Sequence, residues 1–163
     1  SETVRTRRRL RFTIPYMRMA GRFVSRTNSV GGPAARPSTG IRISVVSESA
    51  HEAFLTRFVP EAIIVPFDDA TGARNALSDG SVALHFGDAV SLSFWLQSEG
   101  AEGCCVFSGG PFFDETYFGR GLSVAVPEEA TSLKATLDYG LQRLVANGKF
   151  REIFIRSFPV SPF

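Results

Sequence analysis

Short β-branched runs alternate with helix-opening turns through most of this 163-residue chain, and that alternation leaves few folds open. Residues 41–46 form an apolar run that breaks into Ser47-Glu48-Ser49. Ser49 followed by Glu52 is a capping box, which predicts a helix from about Ala50 that ends before Pro60. Residues 62–67 form a second run; Asp68 and Asp69 then cap a helix over 70–77, stopped by Gly80. Residues 82–86 form a third run, after which Gly87-Asp88 opens a helix to about Gln97. Residues 9–13 read as a strand redirected by Ile14-Pro15-Tyr16, and 22–26 as a polar-alternating strand before a Gly-, Pro- and Ser-rich loop over 27–40. Strands at 104–107 and 122–126 flank an aromatic loop over 109–121. Towards the end, Leu133, Leu137, Leu141, Leu144 and Val145 share one helical face, and Phe150, Ile153, Phe154 and Phe158 share another. This order predicts an α/β fold with a mostly parallel sheet. Ligands in such sheets sit beyond the carboxyl ends of strands, which points to Ser47–Ala50 and Gly87-Asp88.

Composition narrows the class. An apolar content of 44% with abundant Phe excludes a disordered chain, and two cysteines cannot make a disulfide scaffold. No stretch of about eighteen uncharged apolar residues exists to cross a membrane as a helix. The N-terminus is basic but has no apolar stretch behind it of the kind a signal peptide carries. Ten arginines lie within residues 1–42 against Glu2 alone, while the remainder carries an acidic excess. A nucleic-acid arm is one reading of that front. The alternation of Arg7, Arg9 and Arg11 with Arg8, Leu10 and Phe12 favours a strand with a solvated arginine face, and no nucleic-acid partner is expected.

Catalytic and metal motifs fail at one position each. His51-Glu52 begins a zinc-protease helix, but the second histidine position is Leu55; Gly119-Arg120-Gly121 begins a dinucleotide fingerprint whose third glycine position is Val124. No metal or cofactor is expected. His85 lies inside an apolar strand and reads as a structural core histidine. Cys104 and Cys105 are neighbours in a strand, where side chains point to opposite faces, so two free thiols are expected rather than a mutual disulfide. Asp88 is the carboxylate of most interest: residue type alone favours a plain helix N-cap, and an ammonium ligand could use the same carboxylate.

In their order, several segments resemble one known family: Phe12-Thr13-x-Pro15-Tyr16, Gly40-x-Arg42-Ile43-x-Val45-Val46, Ala76-Leu77-x-x-Gly80-x-Val82, Asp88, Phe107-x-Gly109-Gly110-Pro111 and Tyr117-Phe118-Gly119-x-Gly121. The tail agrees, from Leu133-Lys134-Ala135 through Asn147-Gly148-Lys149-Phe150 to Phe158. Together they resemble the polar-amino-acid substrate-binding proteins of bacterial ABC transporters, solute-binding family 3, which have the type II periplasmic-binding fold.

The resemblance implies two α/β lobes closing on a ligand, with residues 22–113 as a complete lobe two, and 1–21 with 114–163 as hinge strands and a partial lobe one. It implies a small polar solute, such as an amino acid, as ligand, a membrane permease as partner, the periplasm as location, and no catalytic residue. The aspartate that grips the ligand's ammonium falls on Asp88. The turn that receives the α-carboxylate falls on Ser47-Glu48-Ser49-Ala50, where Ser49 matches but Glu48 and Ala50 replace the usual Gly and Thr. The arginine clamp falls at Thr6, between Arg5 and Arg7, and the aspartate usual after Val82 is Ala83. The family carries about seventy residues before the point matched by Ser1, including a secretion signal and the front of lobe one. Without them, the apolar face of Leu133, Leu137, Leu141, Phe150, Ile153 and Phe154 is expected either to drive self-association or to leave the lobe-one half poorly ordered. Two alternatives share the scaffold: a cyclohexadienyl or arogenate dehydratase, with Glu48 and His51 as acid–base candidates, and an interaction module completed by a partner chain.

Overall fold

The computed structural model describes residues 10–28, 39–101 and 103–158. The described part divides into two compact units, one of residues 20–119 and one of 10–19 with 120–158.

In the larger unit, β2 (Gly21–Arg26), β3 (Arg42–Val46), β4 (Ile63–Phe67), β5 (Leu84–Asp88) and β6 (Cys105–Phe107) form one sheet in the order β4-β3-β5-β2-β6. Helices α1 (Ala50–Phe58), α2 (Ala70–Ser78), α3 (Ala89–Trp95) and α4 (Glu115–Phe118) cover it. Strand alternation sorts the core onto two faces. Phe23, Ile43, Val45, Leu84 and Phe86 meet Phe54 and Leu55 of α1 and, at its margin, Tyr117 and Phe118 of α4. On the opposite face, Val24 and Val82 meet Ala76, Leu77, Leu92 and Trp95 of α2 and α3. Each large side chain so buried contributes about 1.5–3 kcal/mol.

The smaller unit contains β1 (Leu10–Phe12) paired antiparallel with β7 (Ala125–Pro127), followed by α5 (Thr131–Ala146) and α6 (Lys149–Ser157). The Ile14 N–H donates to Asp138 Oδ1 at 2.8 Å, and Asp138 also pairs with Lys134. None of the sixteen residues of α5 is buried. Leu133, Val145 and Ile153 are each at least half exposed.

Four of the five strands run the same way, as expected of a mostly parallel sheet: β3 is parallel to β4 and β5, and β2 alone is reversed, antiparallel to both β5 and β6. A strand's residue pattern reports which face is buried, not its direction, so the reversal of β2 was not legible in the sequence. Three expectations need correction. The strand expected at 82–86 lies at Leu84–Asp88, because Gly87 and Asp88 pair with Arg22 and Gly21. The aromatic loop contains α4, opened by Asp114, whose carboxylate accepts from the N–H groups of Thr116 and Tyr117. Where a strand was expected at 122–126, the strand covers only Ala125–Pro127, and Leu122 makes a single bridge to Met17.

Cys104 and Cys105 are joined to each other, against expectation. The expectation placed both inside a strand, but β6 begins at Cys105 and Cys104 belongs to the turn after Gly103, where the backbone has positive φ. The rule that sends neighbours to opposite faces therefore does not bind them. Of the arginines expected to form a solvated face, Arg11 is exposed in β1, and Arg7 and Arg9 lie outside the described residues. The two arginines of β2 are half-buried: the Arg22 guanidinium lies 4.0 Å from the centre of the Phe107 ring, and Arg26 Nη1 donates to the carbonyls of Leu77 and Val82.

Candidate functional site

Because β3, β4 and β5 are parallel, their carboxyl ends Val46, Phe67 and Asp88 fall on one edge, from which α1, α2 and α3 start. The chain leaves adjacent β3 and β5 towards opposite faces of the sheet, and an edge crevice opens where such neighbours diverge. A pocket of about 200 Å³ lies there, lined by Val46, His51, Ala70, Arg74, residues 85–88, Ser91 and Leu92.

Asp88 is the helix N-cap its residue type allows. Its Oδ1 accepts from the Ser91 N–H at 2.7 Å and so closes the N-terminus of α3. Its other oxygen has no hydrogen-bond partner among the described residues, on a half-buried side chain that lines the pocket.

The β3–α1 turn is more committed than its sequence suggests. The Ser49 hydroxyl accepts from the Glu52 N–H at 3.1 Å and donates to the Val46 carbonyl at 2.6 Å. The Glu52 carboxylate accepts from the Glu48 N–H at 2.7 Å, one residue earlier than in the usual capping box. The Ser47 N–H donates to the Phe67 carbonyl. Glu48 sits at φ 55°, left-handed territory that explains why the family pattern has glycine there. What the turn leaves open are the N–H groups of Ala50 and His51, in the first turn of α1. Val46 and His51, which bracket the turn, line the pocket, whereas Ser47, Ser49 and Ala50 do not. Arg5 and Arg7 lie outside the described residues.

Three lining groups were not among the ligand-site residues expected from the sequence. His51 stacks on Phe118 with ring centres 5.0 Å apart; burial pushes its pKa down, and the Asp88 carboxylate opposes that shift. His85 is fully buried, with Nδ1 3.1 Å from both the hydroxyl and the carbonyl oxygen of Ser44, and burial lowers its pKa to about 4. Both imidazoles are therefore neutral at pH 7. Arg74, on the inward stripe of α2 with Ala70 and Leu77, reaches to 5.5 Å from the centre of the Trp95 ring. The sequence signal for Arg74 is that stripe, where an apolar residue is the norm. Among the described residues there is no cluster of three or more His, Cys, Asp or Glu that could hold a metal ion.

This architecture is the type II periplasmic-binding fold. It matches substrate binding domain 2 of Lactococcus lactis GlnP in the open conformation with a TM-score of 0.77 at 18% identity, covering 99% of this chain and 67% of that one. It also matches the L-cystine solute receptor of Neisseria gonorrhoeae with a TM-score of 0.73 at 13% identity, covering 96% and 63%. No family model matches the chain. Two curated relatives from Escherichia coli (strain K12) are named as ABC transporter arginine-binding proteins. They are 26% identical over 147 residues, covering 90% of this chain and 58% of the relative, and 28% identical over 120 residues, covering 74% and 48%. The chain thus spans about half the length of the curated relatives it matches, and it resembles the family 3 solute-binding proteins of ABC transporters.

Proposed function

We propose that the chain is solute-binding machinery of an ABC importer and takes a small amino acid at the carboxyl edge of its larger sheet. The observation that carries this is Asp88, with one oxygen spent on α3 and the other left for a cationic group in the pocket. A ligand ammonium fits it, since charge-assisted hydrogen bonds are the strong class. The open N–H groups of Ala50 and His51, at a helix N-terminus beside Ser49, suit the α-carboxylate. The Ser47 hydroxyl and either Arg5 or Arg7 complete the site in this proposal. The relatives' names support an amino-acid ligand and an ABC-transporter partner, and a permease and a periplasmic location follow in this proposal from the family resemblance.

Calorimetric titration of the chain with a panel of amino acids tests the reading. Asp88→Ala should weaken the ligand by about 1.5–3 kcal/mol, the range for a hydrogen bond to a charged group. An unchanged dissociation constant removes Asp88 from the site. The dehydratase reading keeps one supporting observation, a neutral His51 in the pocket beside Asp88. Turnover of prephenate or arogenate would put it in place of binding.

A further inference from the structure

The amino-acid reading leaves one charged group of the pocket without a task. Arg74 Nε is buried and has no hydrogen-bond partner, and no hydrogen bond or ion pair of its guanidinium is formed with any described residue. The Trp95 ring at 5.5 Å holds the group from one side by a cation–π contact, but a ring face cannot accept what the N–H donors of a guanidinium offer. Asp88 is near enough to be felt electrostatically, yet does not close an ion pair with it. Arg74 as a whole is half-buried, but its Nε–H is taken from water without an acceptor, which is unfavourable for a charged donor. An anion seated in the pocket would remove that cost.

The charge inventory of the lining is short. Among its residues only Asp88 and Arg74 carry a charge at neutral pH, since His51 and His85 are both held neutral by burial. The pocket thus offers one anionic and one cationic contact. In the proposed site the ligand's ammonium goes to Asp88 and its α-carboxylate to the first turn of α1, which leaves Arg74 for a third ligand group.

We infer that Arg74 selects a ligand with a second carboxylate, so that the pocket takes an acidic amino acid of the aspartate–glutamate class. This rests on the proposed function, because it takes the ammonium and α-carboxylate positions from it. The carboxylate supplies the acceptors that Arg74 lacks, with fork geometry suited to a guanidinium. A ligand with a cationic side chain would place like charge beside Arg74 and be rejected.

The test is titration of the intact chain with L-glutamate, L-glutamine and L-arginine, followed by NMR so that millimolar dissociation constants are read. Glutamate should bind at least about tenfold tighter than glutamine, the equivalent of one charge-assisted hydrogen bond, with arginine weakest. Arg74→Met should weaken glutamate enough to bring it to within about twofold of glutamine, and Arg74→Lys should keep part of the preference. If glutamine or arginine binds wild type as tightly as glutamate, this inference falls while the amino-acid reading stands. If Arg74→Met weakens all three ligands equally, Arg74 holds the α-carboxylate and the selectivity argument is wrong. If none of the three binds, both fall. The wild-type ranking needs no variant, so it decides even where a variant fails to fold.

Discussion

His85 makes folding stability depend on pH in a window where most side chains do not titrate. The hydroxyl proton of Ser44 is spent on the Ala73 carbonyl, at 2.8 Å, so in the contact with His85 the Ser44 oxygen accepts and Nδ1 donates. Nε2 is then the bare nitrogen, and protonating it puts a charge into a fully buried strand position facing Arg74. Burial and that guanidinium hold the folded pKa at about 4 against 6.5. Between those values the unfolded chain binds more protons than the folded one, so stability is highest above pH 6.5 and is lost as pH falls towards 4. A shift of about 2.5 units at about 1.4 kcal/mol each puts the full effect near 3 kcal/mol, most of it lost between pH 7 and pH 4.5. Urea unfolding followed by the fluorescence of Trp95, the single and largely buried tryptophan, reads this directly. His85→Asn keeps an N–H for Ser44 and cannot titrate, so it should lose about 2 kcal/mol less than wild type over the same interval. His51 and the carboxylates act in both proteins and cancel. Equal pH dependence in the two would refute the argument.

Three other outcomes are expected. Ser25 is fully buried and its hydroxyl has no partner among the described residues, so Ser25→Ala should raise stability by about 1 kcal/mol in the same unfolding assay; a loss of that size would mean the hydroxyl is bonded. Thiol titration of the denatured, unreduced chain should find no free cysteine and should find two after reduction, since Cys104 pairs with Cys105. Light scattering at micromolar concentration should show self-association of the 163-residue chain through the half-exposed Leu133, Val145 and Ile153 of α5 and α6, and Ile153→Glu should reduce it. A stable wild-type monomer would count against that.

Local signals carried much of this fold. Ser49 with Glu52, Asp69 and Asp88 each cap the helix they were expected to open, because a cap is a short-range hydrogen bond between residues two or three positions apart. Strand direction was hidden, since Phe23 and Val24 would alternate across the sheet whichever way β2 ran. Helix α4 was hidden because four residues give no apolar period to count. The place of Asp88 at a strand end bordering the pocket was legible. Arg74 was not: its importance depends on Trp95 and Asp88, which the fold brings to it from another helix and another strand end.

The central claim is that an amino acid binds at the carboxyl edge of β3 and β5, on Asp88. Amide chemical-shift mapping during titration of the isotope-labelled chain with L-glutamate tests it most directly. The account predicts saturable shifts at residues 46–51, 70–74 and 87–92, and their loss in Asp88→Ala. Shifts confined to residues 125–158, or shifts that persist unchanged in Asp88→Ala, would contradict it.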